Sequence, residues 1–172
     1  MIVVMVIFGF PNPVNEKAAR TVAAGVVLQG VAFVVFRQTW MLFPLAFGFL
    51  ARVLTGPKLS PLGTFATRVA APRLGEPKLV AGSPKRFAQG VGLAFSGGAL
   101  AAVAAGMSTL AVVLIVGLVI AAFLEAAFAF CLGCSAFGQL MRWGLIPDDV
   151  CADCNDITAR LAARSELVGS RS

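Results

Sequence analysis

The chain has no histidine and no tyrosine, and only 13% of its residues are charged. Without imidazole there is no His metal ligand, no His-ligated haem, no His general base and no His-based pH sensor. Any chemistry has to run on Cys, Asp, Glu, Lys or Arg. Cysteine is scarce too: Cys131, Cys134, Cys151 and Cys154 are the only four. The low charge accompanies 59% hydrophobic residues and a mean hydropathy of +0.90. A soluble domain is about half apolar and a quarter charged, so this composition belongs to the membrane class.

Four apolar stretches, about 18–36, 40–54, 87–106 and 110–130, are candidates to cross the bilayer. A helix needs roughly 20 residues for ~30 Å of hydrocarbon, so the second, which also carries Pro44, is short. Only MST separates the third from the fourth, the length of a tight hairpin. The expected fold is all-α: an integral membrane four-helix bundle with short interfacial or cytoplasmic helices, one membrane domain over 1–172. The opening MIVVMVIFGF is too short to span and lacks the basic start and cleavage site of a signal peptide. It reads as an interfacial or packed segment. In the central loop, 55–86, Leu62, Phe65, Ala66 and Val69 recur at helical spacing, which suits a short helix in the headgroup plane. Ser83 followed by Pro84 reads as the N-cap and first residue of the third span.

Every Lys and Arg except Arg37 falls on the side shared by the termini and the central loop. The positive-inside rule places that side, with all four cysteines and both termini, in the cytoplasm. The net charge of +6 then faces anionic lipid rather than nucleic acid, because the basic residues flank apolar spans and form no aromatic-interleaved stripe. Ala94, Gly98, Ala102 and Gly106 form a small-residue stripe that suits either a neighbouring helix of the bundle or a homo-oligomer seam. Among the polar residues inside spans, Gln29, Arg52 and Glu125 stand out. Glu125 and Arg52 reach similar depth, which allows a helix-locking ion pair; a proton or ligand site is the other reading. Gln29 reads as interhelical glue. A solute transporter would draw only on Glu125 and Gln29, and the chain lacks the internal repeats of that class.

The cysteines form two C-x-x-C pairs in CLGCSAFGQLMRWGLIPDDVCADC, with sixteen residues between the pairs. In the cytoplasm a purely structural disulfide is the weakest reading. Thiol exchange or sulfane-sulfur carriage is one alternative. There Cys151, in the first turn of a helix after Pro147, is the nucleophile and Cys154 resolves, and one pair can reduce the other. Cys131 is expected at the end of the fourth helix, where the dipole gives no help. A zinc ion held by Cys131, Cys134, Cys151 and Cys154 is the second alternative, because the spacing fits a four-thiolate site. Asp148, Asp149, Asp153 and Asp156 would oppose the charge of that centre. The third is inert, soft residues at a crowded membrane exit. Between the pairs, SAFGQLMRWGL reads as an amphipathic continuation of the fourth helix along the interface.

FPNPVNEKAAR before the first span, GPKLSPLG after the second, SPKRFAQGVG opening the third and FCLGC closing the fourth resemble, together, an uncharacterised bacterial family of small four-span membrane proteins. That family is known only as a domain of unknown function, and the resemblance covers about Phe10 to Cys154. It implies an inner-membrane location and four helices. It also implies association with thioredoxin-like and sulfurtransferase proteins, which favours the thiol reading, and it supplies no catalytic residues. The layout is further similar to membrane disulfide-generating enzymes that pass electrons to quinone. Those act on the oxidising side, opposite to the side assigned here.

Overall fold

The computed structural model describes residues 11–146. The expectations for MIVVMVIFGF, for Pro147 and for Cys151 and Cys154 lie outside the described residues.

The proline-rich entry is tied to the central loop before the first helix begins. Strand β1 (Val14–Asn15) pairs antiparallel with β2 (Leu79–Val80), Val14 opposite Val80 and Asn15 opposite Leu79. Helix α1 (Glu16–Phe36) starts there, with the Asn15 side chain accepting the Lys17 N–H at 3.0 Å. That satisfies one of the donors a helix start leaves open. A 3-10 turn, Thr39–Met41, leads into α2 (Leu42–Thr55). Next comes α3, residues 61–73, in which an α turn (Pro61–Phe65), a π turn (Ala66–Ala70) and a last α turn (Ala71–Arg73) follow without a break. Ser60 caps it, its Oγ accepting the Gly63 N–H at 3.2 Å. Leu62 lies over Gly25 of α1 and Ala66 is fully buried, while Phe65 faces outward. The helix expected in this loop is therefore present. Phe65, which simple periodicity places on the buried face, is instead exposed.

The third long helix, α4 (Gly82–Ala104), begins earlier than Ser83–Pro84 suggested: its N-cap is Ala81, which has no capping side chain. The cap comes from far away in the chain. Asn12 Oδ1 accepts the Gly82 N–H at 2.9 Å, and a Cβ on Gly82 would fall 2.6 Å from the Pro11 carbonyl oxygen. A tight link at Gly106–Met107 leads to α5 (Ser108–Phe128).

Helices α1 and α5 pack antiparallel, as do α2 with α4 and α4 with α5. The core runs through Val22, Val26 and Phe33 of α1, Leu42, Leu45 and Phe49 of α2, Ala99 and Ala102 of α4, and Ala111, Ile115 and Leu118 of α5. The starts of α1 and α4 and the ends of α2 and α5 thus meet at one pole. That pole also holds the short sheet and α3.

The all-α bundle is as expected. Three helices, α1, α4 and α5, of 21, 23 and 21 residues, are long and apolar enough to cross a membrane. At ~1.5 Å per residue they measure about 31–35 Å. The second expected span, 40–54, corresponds to α2, whose 14 residues extend only about 21 Å. Large apolar side chains cover the outer surface: Leu28, Val35, Phe43, Phe47, Val113 and Phe123 are each more than half exposed. A hydrophobic face of that extent suits lipid rather than water. The buried stripe of α4 is Gly92, Ser96, Ala99 and Ala102; Ala94 and Gly106 face outward, so the stripe read from the sequence does not form a single packed seam.

Candidate functional site at the basic pole

At the loop-side pole, buried polar groups converge from four elements. Arg52, one turn from the end of α2, is 5% exposed. Its Nε donates to Gln89 Oε1 of α4 at 2.7 Å and its Nη1 donates to Ser60 Oγ at 3.0 Å. The guanidinium also stacks 4.6 Å from the Phe49 ring centroid, an arrangement that holds the cation against an apolar wall. Its Nη2 is buried without a hydrogen-bond partner among the described residues.

Glu125 of α5 does not pair with Arg52. It accepts from Lys85 Nζ at 2.5 Å, with both side chains largely buried, and acts on Arg52 only through space. Depth alone suggests Arg52 as the partner. Azimuth decides otherwise: Lys85 and Gln89 are four apart on one face of α4, so that face offers an amine to α5 and an amide to α2. Gln29 lies half-buried in mid-α1, away from this cluster, and no hydrogen bond ties it to another helix among the described residues. Arg20 is a contact the sequence did not reveal. Its Nε and Nη2 donate to the Ala126 carbonyl at 3.0 and 2.9 Å, and Nη2 also reaches Ala127 O at 3.1 Å. A cation there complements the negative end of α5 and pins α1 to it.

The cysteine pair stands beside this cluster. Helix α5 does not continue through it: the helix ends at Phe128, and Ala129 turns left-handed with φ 57°. A separate helix, α6 (Leu132–Arg142), then starts with Cys131 as its N-cap, and the Cys131 Sγ accepts the Cys134 N–H at 3.2 Å. Cys131 therefore sits at the positive end of a helix, contrary to the expectation from sequence. Cys131 and Cys134 are joined as a disulfide. Helix α6 folds back on the start of α4. Phe137 is buried against Phe87, ring centroids 5.6 Å apart. A Cβ on Gly133 would fall 2.6 Å from the Ala88 Cβ, so this close approach between the two cysteines needs glycine.

Two hollows adjoin the pair. An open depression outside is lined by Cys131, Cys134, Ser135, Phe130, Lys85 and Glu16. A small inner cavity of about 90 Å³ reaches from Cys131 and Gly133 to Gln89 and Glu125. Cys131 is buried and Cys134 half-buried, so the depression leaves Cys134 the more accessible sulfur. Cys151 and Cys154 lie outside the described residues, and so does half of the expected zinc-ligand set. Among the described residues no three His, Cys, Asp or Glu side chains come together as a metal site.

A family model, the domain of unknown function DUF4395, matches residues 14–142. The chain belongs to the DUF4395 family. The match takes in the pole cluster and the Cys131–Cys134 pair and stops before Cys151. No curated protein and no solved structure matches the chain. Most motifs that carried the resemblance have a structural reason at this pole. Asn12 and Asn15 cap α4 and α1, Ser60 caps α3 and holds Arg52, and Lys85 and Gln89 bind Glu125 and Arg52.

Proposed function

We propose that this DUF4395 protein is an integral protein of the bacterial inner membrane that carries out thiol–disulfide exchange at Cys131 and Cys134. The basic pole faces the cytoplasm, following the charge asymmetry around Arg37. The observation that supports this reading is a Cys131–Cys134 disulfide at a helix N-terminus, with Cys134 open to a surface depression and Cys131 held inside. Cytoplasmic disulfides in bacteria are more often transient and catalytic than structural.

In the exchange, an incoming thiolate attacks Cys134 Sγ. A new S–S bond forms to Cys134 as the Cys131–Cys134 bond breaks, and the electron pair leaves on Cys131. The Cys134 N–H and the α6 dipole stabilise that leaving thiolate. A second thiolate of the donor then attacks its own sulfur in the mixed disulfide and releases Cys134. The Cys131–Cys134 pair ends reduced and the donor dithiol ends oxidised. Cys151 and Cys154 supply that donor, with Cys151 attacking and Cys154 resolving. A thioredoxin-like or sulfurtransferase protein of the cytoplasm then exchanges with the same chain.

The double variant Cys131→Ser/Cys154→Ser removes both thiols that would resolve the intermediate. Under mild diamide oxidation it is expected to accumulate a Cys134–Cys151 cross-link, seen by peptide mass spectrometry, whereas Cys134→Ser/Cys154→Ser does not. Equal yields from the two variants would refute the assignment of Cys134 as the attacked sulfur. One zinc per wild-type chain, lost on mutating either pair, would replace exchange with the four-thiolate zinc reading.

A further inference from the structure

The inner cavity beside the disulfide is lined at once by a reacting sulfur and by a largely buried carboxylate. Cys131 and Gly133 form one part of its wall, and Gln89 and Glu125 form another. At about 90 Å³ it has room for several waters, and these polar groups supply their hydrogen-bond partners. Glu125 has an oxygen to spare. Its Oε1 accepts from Lys85, whereas Oε2 has no hydrogen-bond partner among the described residues and, unlike Arg52 Nη2, is not sealed off. Lys85 in turn lines the outer depression together with Cys131 and Cys134. One ammonium therefore serves both the carboxylate and the hollow that holds the sulfurs. The other charges on this side are Arg52 of α2, which acts on Glu125 through space, and Arg20 of α1, occupied by the Ala126 and Ala127 carbonyls. Glu16 lines the depression and pairs with Lys78.

We infer that Glu125 is the proton-exchanging group for Cys131, working through water in this cavity, with Lys85 as its positioning residue. The inference rests on the exchange reading above and names the acid–base partner of that site. When the reduced pair meets a disulfide-bearing partner, Cys134 attacks as the thiolate, its proton having gone to solvent. One partner sulfur leaves as a thiolate, and the other stays bonded to Cys134. Cys131 is still a thiol at this point, and the thiol is not the nucleophile. Glu125 takes its proton, and the Cys131 thiolate attacks Cys134 Sγ. The Cys131–Cys134 bond forms as the bond to the partner breaks, with the electron pair leaving on the partner's second sulfur. The proton on Glu125 then passes to solvent. In the reducing direction the Glu125 carboxylic acid protonates the departing Cys131. Negative charge moves from Glu125 to Cys131 near the same Lys85 cation, so no step adds an uncompensated charge to the low-dielectric site.

The full-length chain carrying Cys151→Ser and Cys154→Ser keeps only this pair. Reduced, in detergent micelles, and mixed with excess dithiobis-nitrobenzoate, it should release two coloured thiolates in sequence. The first reports attack by Cys134. The second reports closure by Cys131, at a rate independent of reagent concentration and nearly flat around neutral pH. With Glu125→Gln the second release should slow at least tenfold at about pH 7, since general acid–base catalysis is worth ~10²–10⁴-fold. It should also climb about tenfold per pH unit below the thiol pKa of about 8.5. A purely electrostatic role has the opposite sign, because losing a negative charge near Cys131 favours its thiolate and speeds the step. Lys85→Met/Glu125→Leu removes the pair without stranding a charge, so it keeps the test intact if Glu125→Gln folds poorly. It should show the same slow, pH-dependent second release. An unchanged or faster second release in either variant would overturn the inference. A second release that is missing, or that scales with reagent concentration, while Glu125 is in place would refute the exchange reading itself, and this inference with it.

Discussion

Lys85 and Glu125 show how one residue pair sets the chemistry of the pole. Both are largely buried and each is the other's direct ion-pair partner. Removing one leaves the other charge without its direct partner in a low-dielectric site, which costs up to about 3–5 kcal/mol, whereas replacing both with apolar groups of similar size is often close to neutral. Lys85→Met should therefore destabilise the chain strongly, and Lys85→Met/Glu125→Leu should recover most of the loss. Unfolding of the three proteins in mixed detergent micelles checks this. If the double variant were as unstable as the sum of the single ones, the pair would not be the coupled unit described here. This contact was only half legible beforehand. The depth of Glu125 in the membrane followed from its position in an apolar run. Its partner depended on helix rotation, which hydropathy does not report, and the i, i+4 placement of Lys85 and Gln89 was the signal that could have located it.

Among the elements, α6 carries most of the difference between sequence and structure. FCLGC continues an apolar run, and alanine is a good helix former, so nothing local marks a break at Ala129. Left-handed alanine carries a cost of about 1–2 kcal/mol, which is why no turn rule would place one there. The docking of α6 on α4, through Phe137 on Phe87 and Gly133 on Ala88, supplies the compensation. The three long spans were easier to read, because 21–23 apolar residues are an unambiguous pattern, and their ends moved by a few residues only. The start of α4 moved because its cap, Asn12, lies 70 positions away in the chain. The Gly133 contact gives a direct check on α6. Gly133→Ala should displace α6 and cost roughly 1–3 kcal/mol as an overpacked contact. Ala88→Gly in the same chain should relieve it. Alkylation of Cys131 after reduction reads the docking, faster in Gly133→Ala and near the wild-type rate in the double variant. An unchanged rate in Gly133→Ala would mean that the α4–α6 contact does not shield the cysteine.

At the scale of the whole molecule, the bundle separates a bare pole near Arg37 from a pole that gathers caps, ion pairs and cysteines. The orientation proposed for it makes a simple prediction. In a background without native cysteines, Gln38→Cys should react with a membrane-impermeant maleimide added outside spheroplasts. Glu76→Cys should react only after lysis. The reverse pattern would put the cysteine pair on the oxidising side and change the chemistry assigned to it.

Whether Cys131 and Cys134 form an exchanging pair is read by a redox titration of the full-length protein. The chain would be equilibrated in dithiothreitol buffers of graded potential, quenched by alkylation, and the Cys131–Cys134 peptide scored by mass. An exchanging pair should show one two-electron transition, about 30 mV per tenfold change in ratio, with a midpoint in the cytosolic range of roughly −220 to −320 mV. A pair that stays fully reduced, or fully oxidised, across that range would contradict the exchange reading.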